Sequence, residues 1–138
     1  MIIFAFTDGA SRGNPGESGI GFVLKDEKGN VLGTEFGYIG QATNNVAEYT
    51  ALAACLQSVK RLECSNLIVH SDSELMVRQL NGQYKVKDEG LKRHFQQVQS
   101  ILSTLPCEYQ IKHVPREQNK EADQLANRGI DTKKRLTD

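Results

Sequence analysis

Residues 2–7 are apolar without alternation, which predicts a strand buried on both faces at the centre of a sheet. Residues 19–25 and 31–39 read as two further strands, joined by the polar turn Asp26-Glu27-Lys28-Gly29-Asn30. Three consecutive strands with short connections predict an antiparallel meander. The apolar period then changes: Val46, Ala53, Leu56 and Val59 fall at helical spacing within residues 43–62. A short strand over 67–71 and a short helix over 73–80 follow. A helix over 89–102 carries Leu91, Phe95, Val98 and Leu102 on one side. A fifth strand over 108–114 and a last helix over 119–129, closed by Gly129 as a glycine C-cap, complete the pattern. Residues 131–138 are polar and are expected to fray as a tail after a single domain over 1–130.

The element order βββαβααβα converts to geometry. If the first strand points up, the meander turns the second down and the third up. Helical, right-handed crossovers then bring the fourth and fifth strands up as well. The fold class expected is α/β: a five-stranded mixed sheet flanked by helices. The first three strands are antiparallel, and the first, fourth and fifth parallel. The carboxyl ends of the parallel strands share one edge, where open α/β sheets place their ligands.

Composition adds boundaries. With 138 residues, 38% hydrophobic and 25% charged, the chain has the make-up of one soluble domain. The apolar opening is too short to span a bilayer and lacks a signal-peptide flank, so no membrane partner and a cytoplasmic protein are expected. Cys55, Cys64 and Cys107 have no CxxC spacing and read as buried reduced thiols. A net charge of zero neither supports nor excludes nucleic acid, because a local patch can bind phosphates on a neutral protein.

Four acids fall at the expected ligand edge. Asp8 ends the first strand, Glu48 lies in the opening turn of the following helix, Asp72 follows the fourth strand and Asp123 begins the last helix. Each also has an ordinary reading. Asp8-Gly9 is a turn dipeptide, Asn45-Val46-Ala47-Glu48 and Ser71-Asp72-Ser73-Glu74 fit capping boxes, and Asp123 suits a solvated helix flank. Independent capping does not require all four on one edge. Packed carboxylates repel and must take up protons or hold cations. A ligand set of hard oxygen alone selects Mg²⁺ or Mn²⁺ over zinc. Two such ions roughly 3.5–4 Å apart form a clamp for attack on a phosphodiester.

Five blocks resemble type 1 ribonuclease H: Thr7-Asp8-Gly9-Ala10, Gly13-Asn14-Pro15-Gly16, Thr43-Asn44-Asn45 with Ala47-Glu48, Ser71-Asp72-Ser73, and Asn119 with Ala122-Asp123-Leu125-Ala126. The stretch His113-Val114-Pro115-Arg116-Glu117-Gln118-Asn119 is similar to that of the compact members of the family. The resemblance implies hydrolysis of the RNA strand of an RNA–DNA hybrid with two Mg²⁺ ions, Mn²⁺ as a substitute, leaving 5′-phosphate and 3′-hydroxyl ends. It implies that Asp8 bridges both ions, Asp123 helps hold the water-activating ion, and Glu48 and Asp72 hold the ion at the leaving oxygen. Asn14, Asn44 and Asn45 match minor-groove contacts that sense a 2′-hydroxyl, and Thr43 a phosphate contact. Asn44 and Asn45 also read simply as helix-start residues. The glycines beyond Asp8 suit a close approach of backbone to nucleic acid.

The sequence also departs from the family pattern. The family's mobile loop histidine is missing before the last helix, and Arg116 is the candidate substitute. Its side chain stays protonated, so it suits a phosphate rather than general base work. The inserted basic helix of longer relatives is reduced to Lys85, Lys87, Lys92 and Arg93, of which Lys87 is a candidate substrate contact. Gln41 replaces a basic residue. Double-stranded RNA is a second candidate substrate, and a monomer is expected. Two rivals differ in class: an aspartyl-nucleophile phosphatase, weakened by Ala10 in place of a second aspartate, and a non-catalytic hybrid- or double-stranded-RNA-binding module of the same fold. A P-loop fails outright, because the glycine loop lacks a GK[ST] ending.

Overall fold

The structure, a computed structural model, describes residues 1–136. Strands β1 (Ile2–Gly13), β2 (Gly16–Lys25) and β3 (Val31–Ala42) form the antiparallel meander, and β4 (Asn66–Ser71) and β5 (Glu108–His113) run parallel to β1. The sheet order is β3-β2-β1-β4-β5, so the mixed topology and the central place of β1 are as expected. Helices α1 (Asn44–Val59), α2 (Glu74–Leu80), α3 (Glu89–Ser103) and α4 (Lys120–Thr132) flank it, with a 3-10 turn at Arg116–Gln118. Among the described residues no helix is long and apolar enough to cross a membrane.

Strand alternation divides the sheet's two faces. Ile3 and Ala5 of β1, Phe22 and Leu24 of β2, and Leu67 and Val69 of β4 pack with Tyr49, Leu52 and Leu56 of α1 and Val98 and Leu102 of α3 in the main core. α4 lies on the opposite face, against β1, β2 and β3. There a Cβ on Gly21 would overlap Leu125, Ala126 and Ala122 of α4, so the bare backbone of β2 is what lets this helix sit close. On the same face of β1, Phe6 stacks on His70 of β4 with ring centroids 4.4 Å apart.

Several expected boundaries move, each for a tertiary reason. The apolar run ends at Thr7, yet β1 continues to Gly13 because β2 remains paired with it, from Phe4↔Lys25 to Gly13↔Gly16. Asp8 therefore sits inside a strand rather than at its end. α1 begins at Asn44, with Thr43 Oγ1 accepting from the Val46 N–H at 3.2 Å, so the cap is Thr43 and not Asn45. Glu48 is then in the second turn, out of capping position. Of the three free thiols only Cys55 is buried; Cys64 and Cys107 are half-buried.

Gly129 is not a C-cap. α4 runs on to Thr132, and the left-handed conformation falls to Lys133 at φ 54°. A Cβ on Gly129 would overlap the Gly37 carbonyl of β3, so this glycine allows a close helix–strand contact. We expect Gly129→Ala to destabilise the fold by about 2–3 kcal/mol through backbone overlap, read as a lower midpoint in thermal or urea melts. Residues expected to fray also have fixed places. Asp131 and Thr132 complete α4, the Tyr38 N–H donates to the Lys134 carbonyl at 2.7 Å, and Leu136 lies against Gly37. The last two residues of the expected tail lie outside the described residues.

Candidate active site

β1 and β4 pair as far as Thr7 and Ser71, where the parallel ladder stops while β1 continues beside β2. Two backbone groups of β1 beyond that point are taken by side chains. Asn119 Nδ2 donates to the Thr7 carbonyl at 2.8 Å, and the Gly9 N–H donates to Glu48 Oε1 at 3.0 Å. The step in the sheet is thus filled by one residue entering α4 and one from α1. Asp8 lies between these two bonds.

Each acid reaches the step from a different element. Asp8 projects from β1 onto the α4 face, opposite Gly21 in the β1–β2 register. Glu48 comes from α1, whose backbone lies so close to β1 that a Cβ on Gly9 would overlap the Ala47 carbonyl and the Glu48 nitrogen. Gly9 therefore accommodates a helix of the protein, where close approach of nucleic acid was the sequence-based expectation. Asp72 immediately follows β4, and Ser73 caps α2 by accepting from the Met76 N–H at 3.2 Å, so Asp72 stands outside that cap. Asp123 lies one turn into α4, and its backbone N–H donates to the Asn119 carbonyl at 3.1 Å. Asn119 thus ties Asp123 to β1 through one residue.

The capping readings of Glu48 and Asp72 do not describe their environment. One carboxylate oxygen from each of Asp8, Glu48 and Asp72 lies within 4.8 Å of the others. Asp123 is not in that tight group, but it is among the neighbours that raise the Asp8 carboxyl. All four line one cavity of about 430 Å³. Asp8 and Glu48 are each 4% exposed. Burial, and then the charges of Glu48 and Asp72, push the Asp8 carboxyl far above the usual carboxylate range. Burial and then Asp72 raise Glu48, against the opposing pull of the Gly9 N–H. Without a counter-charge, the cluster holds protons that its members would release in water.

Arg116, in the 3-10 turn, is exposed and lines the same cavity, with Nη2 at 3.7 Å from Asp123 Oδ1. His113, the last residue of β5, is exposed. Asn14 Oδ1 accepts from the Asn44 N–H at 3.0 Å, which joins the β1–β2 turn to the start of α1. Asn44 lines the cavity and Asn45 is exposed beside it. Lys87 is exposed in the connection between α2 and α3 and does not line the acid cavity. Arg12 and Asn127 line it without having been singled out by the sequence. For Asn127 a signal was present, since it stands four residues beyond Asp123 and shares its helical face.

The donor set is carboxylate oxygen alone, clustered and partly buried, and it fits hard divalent cations such as Mg²⁺ or Mn²⁺. Comparison with known proteins agrees in sequence and in shape. A family model described as "Reverse transcriptase-like" matches residues 6–129. The chain is 38% identical over 129 residues to Ribonuclease HI of Halobacterium salinarum, covering 94% of this chain and 64% of that protein. It spans 36% of the Bifunctional protein Rv2228c of Mycobacterium tuberculosis, at 41% identity. The solved RNase H1 of Halobacterium salinarum NRC-1 superposes with a TM-score of 0.90 at 37% identity, over 96% of this chain and 99% of that one. LC11-RNase H1, solved in complex with RNA/DNA hybrid, superposes with a TM-score of 0.88 at 45% identity, over 94% and 97%. Ribonuclease H of Neisseria meningitidis is matched over 92% of this chain and 94% of its own length at 33% identity, and the chain accordingly belongs to the type 1 ribonuclease H family.

Proposed function

We propose that this protein is a metal-dependent endonuclease that hydrolyses the RNA strand of RNA–DNA hybrids. The observation that carries the reading is the approach of Asp8, Glu48 and Asp72 to within 4.8 Å of one another, with Asp123 lining the same cavity. The likeness to LC11-RNase H1, a protein solved with RNA/DNA hybrid, supports the choice of substrate.

In this reading the four carboxylates hold two Mg²⁺ ions, with Mn²⁺ as a substitute. Such ions, when bound, supply an activated water and stabilise charge at the leaving 3′ oxygen, which yields 5′-phosphate and 3′-hydroxyl ends. Asp8, grouped with Glu48 and Asp72 and lining one cavity with Asp123, would be shared between both ions. Glu48 and Asp72 would hold the ion at the leaving oxygen, and Asp123 would help hold the other.

The remaining residues bind and orient. Arg116, beside Asp123, holds a phosphate of the cleaved strand; as a permanent cation it takes no proton. Thr43 Oγ1 accepts the cap bond and keeps its O–H to donate to a phosphate. The Asn14 amide oxygen is used by Asn44, which leaves its NH₂ to donate to a 2′-hydroxyl, as the exposed Asn44 and Asn45 side chains do. Lys87 contacts the backbone farther from the cut. The lack of base-edge readout in this set fits recognition by shape, which extends the substrate class to double-stranded RNA.

A cleavage panel tests the reading: hybrid, double-stranded RNA and a duplex with one ribonucleotide, each with Mg²⁺, with Mn²⁺ and with EDTA. The expected result is cleavage of the hybrid with either ion, loss with EDTA and 5′-phosphate products. Hybrid binding without turnover under either ion would make the protein a binding module instead.

A further inference from the structure

Asp123, Asn127 and Asp131 stand four residues apart on α4 and share one face of the helix. Asp131 belongs to that face only because α4 runs past Gly129. Arg12, near the end of β1, lies across it. Its Nη1 donates to Asp131 Oδ1 at 2.7 Å and its Nη2 to Asn127 Oδ1 at 3.2 Å. Asn127 Nδ2 in turn donates to the Asp123 carbonyl at 3.0 Å and to Asp123 Oδ1 at 3.4 Å.

Only one orientation of the Asn127 amide satisfies both neighbours. A guanidinium offers donors alone and takes the amide oxygen; a carboxylate offers acceptors alone and takes the NH₂. Arg12, anchored by Asp131, thereby fixes which end of the amide faces Asp123. The Arg12–Asp131 pair is half exposed, 47% and 62%, and pairs of that kind contribute little to stability. Its effect lies in orientation. Arg116 stands 3.7 Å from Asp123 Oδ1, too far for a hydrogen bond, whereas Asn127 Nδ2 reaches the same oxygen at 3.4 Å.

We propose that Arg12 and Asn127 are positioning residues: Arg12 sets the Asn127 amide, and the amide holds the Asp123 carboxylate in the orientation needed for a divalent ion shared with Asp8. The inference rests on the reading of the four acids as a metal site. A carboxylate held by a fixed donor loses less freedom on ion binding than a free rotor does. The pair therefore governs affinity for the ion near Asp123 and leaves hybrid affinity unchanged.

The test is Mn²⁺ binding to the full chain without nucleic acid, read from the paramagnetic signal of the free ion. It compares the parent, R12A, R12K, N127A, N127S, R12A/N127A and D8N, with thermal melts to confirm folding. N127A and N127S are expected to weaken one ion about 10-fold, and R12A about 3-fold to 10-fold. The double variant is expected to bind no more weakly than N127A alone, because both residues act through one amide. R12K is expected to recover most of the R12A loss, and the KM for hybrid to stay within about twofold in the Arg12 and Asn127 variants. Parent-like Mn²⁺ binding in R12A and N127A alongside a loss in D8N overturns the inference and leaves the metal site standing. So do losses that multiply in the double variant, or a raised KM in R12A with unchanged ion binding. Equal binding by the parent and D8N overturns the metal site itself, and the inference with it.

Discussion

Asp8→Asn is expected to abolish hybrid cleavage, by about 10³-fold or more in kcat/KM, while making the metal-free protein more stable. The first effect follows from the place of Asp8 in the acid cluster, grouped with Glu48 and Asp72 and sharing a cavity with Asp123. Exchanging one charged oxygen for an amide NH₂ removes a shared ligand, and 10³-fold corresponds to about 4 kcal/mol of transition-state stabilisation. The second effect has a sign that linkage fixes. Burial and the neighbouring acids raise Asp8 and Glu48 above their ordinary values of 3.8 and 4.5. Above about pH 5.5 the unfolded chain has released these protons and the folded protein has not, so the native state binds more protons and stability falls as pH rises through neutrality. Asn carries no such penalty. At pH 7.5 without divalent ions the variant is expected to melt on the order of 5 °C above the parent, equivalent to about 2 kcal/mol. Mg²⁺ reverses the order: it raises the midpoint of the parent, more at pH 8 than at pH 6 because ions displace protons, and leaves the variant nearly unmoved. Calorimetry at the two pH values, with Mg²⁺ and with EDTA, checks both signs. A variant that melts below the parent in EDTA would show that the cluster is not under charge strain.

Gly9→Ala is expected to be the next most damaging change, although it alters no chemical group. The methyl would overlap the Ala47 carbonyl and the Glu48 nitrogen, both backbone, so no rotamer relieves the clash. Gly9 has no positive φ, so the loss comes from space and not from conformation. α1 must shift away from β1. That stretches the 3.0 Å bond from the Gly9 N–H to Glu48 and moves the carboxylate off the step in the sheet. Overpacking of this kind costs about 3 kcal/mol in stability. A displacement of about 1 Å at a reacting centre costs on the order of 10²-fold in rate. Urea melts together with kcat at saturating Mg²⁺ separate the two losses, and a folded G9A with parent-like kcat would show that Glu48 needs no backbone support.

The topology was legible because it rests on local signals. The switch from continuous apolar runs to helical spacing marked each element, and the order of elements set the parallel strands. The acid cavity was legible in part: Asp72 directly follows β4, while Asp8, Glu48 and Asp123 lie inside β1, α1 and α4 and reach one cavity through the packing of those elements. What the sequence hid depends on partners far along the chain. β1 passes Asp8 because β2 is still paired with it, and no residue near Asp8 signals that. Gly129 has the sequence context of a cap, and only its contact with Gly37 shows that the helix continues. The glycines after Asp8 looked like a surface for nucleic acid, while Gly9 serves α1. Arg12 and Asn127 were passed over because a turn arginine and a helix asparagine acquire meaning only when β1 and α4 lie side by side.

The segment that follows α4 bears on the outer margin of the sheet. β3 is the terminal strand in the order, and a terminal strand offers unmatched backbone groups to any other chain that can extend the sheet. Here the Tyr38 amide is already engaged by Lys134, while Lys133 and Arg135 lie over the Tyr38 ring and Lys134 over Phe36. Basic residues that look like a solvated appendage thus act as a guard rail, keeping the margin occupied and charged against sheet-to-sheet growth.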